Sequence, residues 1–534
     1  MKKITIFLMS LLTLGQTTMA QLQTGTNTAV TNTDAGKVRG SIHNGIYTYK
    51  GIPYAEAKRF EAPHKPKPWQ NVRSSMTYGP VAPLQTPTVA VQDESEFVYN
   101  HSFGYTNEDC MRVNVWTPGI NDGKKRPILF WIHGGGFASG SSQELPSTDG
   151  ESLAKRGDVV VVSINHRLNV LGFLDLSAYS EKYKHSANVS ILDIKAALEW
   201  VKTNIANFGG DANNITIFGQ SGGGAKVNTL MAMPSAKGLF HKAINESGSF
   251  RSTIKDKKYT QEVAAEVLNL LHLQAGQVDS LQTIPFQQLS DAGIQALKNV
   301  NAKANAGGAG LAAMMNASWG PSMDGEDLPY QIASKEAYEL SKDIPLMIGT
   351  VKNEFMASLF TNKSDANLEQ VKAIIKMQQK DKADAYMAAV KKAYPKDTKP
   401  TDLMDVDAMF RPGAVRQAND KSALNAAPVY MYLFTWQSPV MDGKYKAVHC
   451  MELPFVFNNV ERCQEMTGGG KEAIALAAKM SDAWINFART GNPNHKGLPV
   501  WPKYDAAKTA TMHFDNKCEV LPQLDKELFD LVAQ

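Results

Sequence analysis

From Phe208 to Gly224 the chain reads FGGDANNITIFGQSGGG. Ile215-Thr216-Ile217-Phe218 is a short β-branched and aromatic run, the pattern of a buried strand. Gly219-Gln220-Ser221-Gly222-Gly223 follows at once, and Ala225 to Met233 suits a helix until Pro234 stops it. A strand that turns through Gly-x-Ser-x-Gly into a helix is the setting of a nucleophile elbow. The turn is so tight that a Cβ at its flanking positions would clash, which calls for glycine there. The pattern predicts a strained Ser221 whose hydroxyl stands above the sheet. The backbone N–H of Gly222 and the helix N-terminus then face any negative charge that forms beside it. The bare five-residue pattern arises by chance in roughly one such chain in five, so its setting and its partners carry the weight.

The 534 residues are 43% hydrophobic and 20% charged, a globular composition with ample length for a large core. A net charge of +4 with no Lys/Arg block argues against nucleic acid as a partner. Residues 1–20 read as an export signal: Lys2 and Lys3, an apolar run from Ile4 to Leu14, then Thr18-Met19-Ala20 before a cut at Gln21. That run is shorter than the ~20 residues that span a bilayer. No later segment is apolar enough to span, so an exported chain, periplasmic or secreted, with no membrane span is expected. The four cysteines, Cys110, Cys450, Cys463 and Cys518, form no CxxC, and neither HExxH nor a His/Cys cluster with metal spacing occurs. No metal and no cofactor are expected.

Residues 21–35 are Thr/Asn/Gln-rich and are expected to be a disordered lead-in. The stretches 37–42 and 46–50 predict a hairpin around Asn44-Gly45. Residues 85–107 lack periodicity and are expected to be a long surface loop. Val113–Trp116, Ile128–His133 and Val159–Ile164 are apolar enough to be strands buried on both faces. Ser190 to Ile205 carries Ile191, Ile194, Leu198, Val201 and Ile205 at helical spacing. Further strands are expected at 243–245, 345–348 and 429–435. Strands alternating with helices imply a mostly parallel central sheet flanked by helices, in the α/β class. The helix-rich segments near 251–340 and 355–425 are expected to be insertions forming a cap and pocket walls. Residues 36–534 are thus read as one catalytic domain.

A second glycine-rich stretch, Trp131-Ile132-His133-Gly134-Gly135-Gly136-Phe137, ends a strand. Consecutive glycines let backbone N–H groups turn inward with no side chain in the way, and beside a nucleophile elbow such a loop supplies oxyanion donors. Around these motifs the chain resembles the type-B carboxylesterases, the family of the cholinesterases, within the α/β-hydrolase fold. The resemblance runs from about Gly36 to Asp505. Its landmarks are Gly51-Ile52-Pro53-Tyr54-Ala55, Arg59-Phe60, Glu108-Asp109-Cys110, the HGGGF loop and Asn165-His166-Arg167-Leu168. After these come the Ser221 stretch, Glu246-Ser247-Gly248, Asp324-Gly325, GTVKNEF, AVHCMELPFVF and WINFARTGNPN.

A serine hydroxyl needs a base to take its proton, and the base needs a carboxylate to hold its tautomer. Of the eleven histidines only His449, His495 and His513 lie beyond residue 300. His449 matches the family histidine. Glu354 stands five residues after Gly349, just past a predicted strand end, and matches the family acid. Asp324 is the runner-up and reads better as a turn residue, and Glu452 reads as structural. The resemblance implies Ser221, Glu354 and His449 as the triad, Gly135, Gly136 and Gly222 as oxyanion donors, and Gln220 and Phe137 beside the substrate.

Departures from the family pattern bear on the substrate, a small-molecule ester. Gln220 and Gly222 stand where Glu and Ala are common, Cys450 stands where Gly follows the histidine, and Cys110 has no upstream partner. Gln220 removes a negative charge that would attract a cation. Phe97, Tyr99, Phe103 and Tyr105 offer aromatic faces but no Trp. Neutral or aromatic esters are therefore expected as substrates, with choline esters poor. Cys450 and Cys463 are the closest pair in sequence and are expected to form a disulfide. An amidase, lactonase or lipase would use the same triad. A non-catalytic binding protein like the neuroligins would typically have lost the serine.

Overall fold

The computed structural model describes residues 21–84, 94–250, 253–303 and 318–532. The expected export signal lies outside these residues. In chain order the strands among them are β1 (Val30–Asn32), β2 (Lys37–Arg39), β3 (Ser41–His43), β4 (Ile46–Pro53), β5 (Arg73–Ser74), β6 (Arg112–Thr117), β7 (Arg126–Ile132), β8 (Val160–Asn165), β9 (Gly210–Gln220), β10 (Lys242–Glu246), β11 (Lys255–Asp256), β12 (Ser322–Met323), β13 (Leu346–Val351), β14 (Val429–Phe434), β15 (Thr511–Phe514) and β16 (Glu519–Leu521). Eleven of them make one sheet in the order β16-β15-β14-β13-β10-β9-β7-β8-β6-β4-β3. The seven from β15 to β8 run parallel, and the flanking strands are antiparallel. The mostly parallel α/β sheet read from the sequence is present, with its hairpin at Asn44-Gly45.

The strands β7, β8, β10, β13 and β14 are buried at every residue because both sheet faces are covered. Ile128, Phe130 and Ile132 of β7 enter one core, and the alternate Leu129 and Trp131 enter the other. This is the two-residue period of a strand, applied to two buried faces. The first core takes Ile191, Ile194, Leu198 and Val201 from the helix Val189–Asn204. The second takes Leu476, Met480 and Trp484 from the helix Lys471–Thr490.

Two expectations need correction. The lead-in at 21–35 is ordered: β1 pairs antiparallel with β2, and Gln23 bridges to Ile42. Ala29 and Thr31 bury there, so a few well-placed contacts outweigh the polar composition. Within the expected loop at 85–107, Glu94–Tyr99 is helical, with Glu94 and Glu96 at the end that favours negative charge and Val98 buried. Residues 85–93 of that loop lie outside the described residues.

The insertions are helical as read. The first contains helices Lys257–Leu270 and Phe286–Lys303, and the second contains Leu368–Gln379, Ala383–Ala393 and Phe410–Ala423. The family landmark Arg167 is buried and ties the loop after β8 to the sheet's covering helix. Its Nη2 and Nε donate to Asp193 at 2.6 and 2.9 Å, and Nη1 donates to Glu61 O at 2.8 Å. Removing one partner strands the other as a buried charge. Asp193→Asn is therefore expected to lower unfolding free energy by about 3–5 kcal/mol, while Arg167→Met with Asp193→Leu loses less. Guanidinium denaturation of the two variants beside the unaltered chain checks this. A single variant within error of the unaltered chain would contradict it.

Candidate active site

The strand order creates the site. The chain passes from β7 outward to β8, returns to lay β9 on the other side of β7, and then continues away through β10 and β13. The loops after β7 and β9 therefore diverge at adjacent strand ends, the crevice position of an open α/β sheet. Ile132 and Gly219 are paired in register, so the HGGG loop and Ser221 start side by side.

Ser221 has φ 57° and ψ −123°, an unfavourable conformation for a residue with a Cβ. Its N–H donates to Glu246 O at 2.8 Å, and its C=O accepts from Ala225 N at 3.0 Å to open the helix Gly222–Met231. The flanking glycines are required by contact. A Cβ on Gly219 would lie 2.5 Å from Gly223 C, and one on Gly223 would collide with Ile132 O. A Cβ on Gly222 would collide with Gly136 O and lie 2.5 Å from its Cα and N. Gly135 and Gly136 themselves have φ 77° and 62°. The N–H groups of Gly135, Gly136 and Gly222 have no acceptor among the described residues. They are spare donors beside a strained serine.

Glu354 and His449 arrive from the next strands. Glu354 lies three residues past β13 and is fully buried. Its Oε1 accepts from Ser247 Oγ at 2.5 Å and Val351 N at 3.1 Å, and its Oε2 is in hydrogen-bond contact with His449 Nδ1. His449 N donates back to Glu354 O at 3.0 Å, so two bonds fix the histidine loop to the strand end. Burial raises the pKa of Glu354 well above the usual carboxylate value, opposed by the Ser247 and Val351 donors. Burial pushes the His449 imidazolium down to about 3. The ring is neutral at rest, as a base must be. Phe355 and Phe410 pack on it with ring centres 4.6 and 5.3 Å away.

Gln220 is buried, with Nε2 3.3 Å from both ring nitrogens of His449 and Oε1 accepting from Cys450 Sγ at 3.2 Å. Phe137 packs edge-on against Phe173 and lines a cavity with Ala225, Thr229, Ile254, Pro321 and Ile332. Asp324 lies apart from this group: it accepts from Asn188 Nδ2, Glu326 N and Leu328 N, as a turn residue does. Glu452 is fully buried and its carboxyl oxygens have no described partner.

The sequence reading assigned no role to four residues at the site. Ser247 had a usable signal, because it directly follows β10, which pairs with the serine strand. Phe355 follows Glu354 directly, whereas Phe410 comes from a distant insertion. Lys226 was the one cation in an otherwise uncharged helix, and it proves wholly buried.

The fold and the site define a serine hydrolase of the α/β-hydrolase type. Residues 27–530 match the carboxylesterase family model, and the chain belongs to that family as a carboxylic ester hydrolase. It is 35% identical over 508 residues to the para-nitrobenzyl esterase of Bacillus subtilis, covering 92% of this chain and 96% of that one. It is 33% identical to the phenmedipham hydrolase of Pseudarthrobacter oxydans, covering 90% and 94%. Among solved structures, an esterase from Clostridium hathewayi superposes with a TM-score of 0.84 at 36% identity, covering 96% of this chain and 99% of that one.

The expected Cys450–Cys463 disulfide is not formed. All four cysteines are free thiols: Cys450 Sγ is held by Gln220, and Cys463 is packed in the second core. Nearness in sequence did not bring their side chains together. Unreduced, denatured protein is expected to take up four maleimides per chain by mass spectrometry. An uptake of two would restore a disulfide.

Proposed function

We propose that Ser221 is the nucleophile, His449 its base and Glu354 the carboxylate that orients His449. The observation that carries this reading is the Glu354–His449 contact at the strand ends beside the strained Ser221. His449 takes the Ser221 proton as Oγ attacks the ester carbonyl. The oxyanion accepts hydrogen bonds from the N–H groups of Gly135, Gly136 and Gly222, each worth 10²–10³ in rate by general precedent. His449 then protonates the departing alcohol. Water, activated by the same ring, releases the acid and restores Ser221.

Ser221→Ala is expected to abolish ester hydrolysis and covalent labelling by a sulfonyl fluoride. Glu354→Gln is expected to lower kcat by on the order of 10⁴ while the protein stays folded. Steady-state kinetics and peptide mapping check both. Label on another serine, or full activity in Glu354→Gln with loss in Asp324→Asn, would reject the assignment.

The substrate class we propose is a small neutral or aryl ester. Phe250, Phe410, Phe355 and the exposed Phe360 form a line of ring contacts at 4.8, 5.4 and 5.7 Å that passes His449 and reaches the surface. Flat aromatic groups stack on such faces. The Clostridium hathewayi esterase hydrolyses aliphatic aromatic polyesters, which is consistent with this reading. Of the loop aromatics, Tyr99 is taken up by a hydrogen bond to His449 O and Phe103 by stacking on His101, leaving Phe97 and Tyr105 exposed. The neutral Gln220 beside His449 provides no counter-charge for a quaternary ammonium. A phenyl ester is expected to exceed the choline ester of the same acid in kcat/KM by at least tenfold, and a choline ester turned over equally well would reject the class.

A further inference from the structure

Lys226 has no part in the chemistry above, yet it is the most unusual residue near it. It lies five residues after Ser221 on the same helix and is wholly buried. Among the described residues no carboxylate lies within ion-pair distance of its Nζ. The Nζ donates instead to His133 O at 3.0 Å and to Gly134 O at 3.4 Å, and stands 5.7 Å from the centre of the Phe137 ring. An ammonium group buried against carbonyls alone is a costly way to fill space that methionine would fill without desolvating a charge.

The two carbonyls explain its place. A trans peptide is planar, and its C=O and N–H point in opposite directions. A donor that holds Gly134 O on the helix side therefore turns the N–H of Gly135 toward the opposite side. The next peptide is held the same way: Gly135 O accepts from Ser139 N at 3.1 Å and Ser139 Oγ at 3.2 Å, which turns the N–H of Gly136. Glycines have no side chain to oppose a flip, so these peptides depend on what grips their oxygens. His133 Nδ1 also reaches Gly134 O, at 3.0 Å, but only Lys226 brings a positive charge. That charge at the oxygen end of a peptide polarises its N–H and strengthens it as a donor.

We propose that Lys226 is a positioning residue for ester hydrolysis, which grips the glycine loop from behind and both aims and strengthens its oxyanion donors. This rests on the reading of Ser221 and the glycine loop given above. Burial pushes the Lys226 ammonium down to about 7, with Glu144 opposing the shift. Glu144, His133 and His166 are the titratable groups that face it.

The test uses the full chain and a phenyl trifluoromethyl ketone. Ser221 Oγ adds to the ketone carbon, a C–O bond forms, the carbonyl π pair moves to oxygen as the oxyanion, and the Ser221 proton goes to His449. Binding therefore reports on the oxyanion donors. Lys226→Met is expected to lower kcat for a phenyl ester ten- to a hundredfold, with KM within twofold. Affinity for the trifluoromethyl ketone is expected to fall by the same factor, while the plain methyl ketone is unaffected. Lys226→Gln, which keeps an N–H donor group but no charge, is expected to fall between.

Equal kcat and equal ketone affinity in Lys226→Met would overturn the proposal. So would a change in KM alone. Failure of both variants to fold would assign the residue to folding and overturn it too. A separate result, trifluoromethyl ketone binding undiminished in Ser221→Ala, would reject the underlying reading instead.

Discussion

Backbone-to-backbone contact between the loops after β7 and β9 is the constraint on which the site depends. Side chains are excluded from it: a Cβ on Gly222 or Gly223 would strike Gly136 or Ile132. That closeness follows from the change of direction in strand order between β7 and β9. It places a strained serine beside three N–H groups that have no acceptor among the described residues. The strain at Ser221 is held by the N–H bond to Glu246 and by the helix that its own carbonyl opens. Strain of this kind persists only where the surrounding structure over-determines it, and here both strands and helix do so.

The proposed acid and base are held by a different logic. Glu354 is fully buried, and burying a carboxylate is unfavourable unless hydrogen bonds replace its water. Ser247, Val351 and His449 supply those bonds, while Phe355 and Phe410 exclude solvent from the imidazole. A neutral His449 suits this dry setting at rest. In the proposed reaction the imidazolium is stabilised by Glu354 in contact with it and by the charge of the nearby Asp407, so the orientation of Glu354 matters to its effect. The same dry surroundings strengthen every hydrogen bond to the developing oxyanion.

Much of this was legible in the sequence because local patterns carry it. The run ITIF followed by GQSGG fixes a strand, a turn and a helix start within ten residues, and the HGGG loop does the same for β7. The Gly349–Glu354 spacing, matched to the family pattern, picked out the carboxylate that contacts His449. Three features did not carry local signals. The order at 21–35 comes from pairing of Val30–Asn32 with a later strand, which polar composition hides. The state of Cys450 depends on Gln220, 230 residues away, and not on the nearby Cys463. Phe410 reaches His449 from a helical insertion whose own pattern points to its packing and not to the site.

The charges around Ser221 then argue for what kind of substrate the site suits. A glutamate before the nucleophile, common in the family, would put a negative charge where Gln220 lies against His449. Such a charge attracts a cationic substrate, and it also opposes formation of an oxyanion nearby. Here the position is neutral. The other carboxylic acids near the site, Glu144, Glu246 and Glu452, are all shifted upward by burial, Glu144 to about 7, which favours their uncharged forms. Lys226 lies behind the glycine loop, donates to its carbonyls, and in its ammonium form brings the opposite sign. The balance favours negative charge in the transition state and gives nothing to positive charge in the ground state. A substrate gains most from this arrangement if it is neutral when it binds and anionic only as it reacts, and an uncharged carboxylic ester meets both conditions.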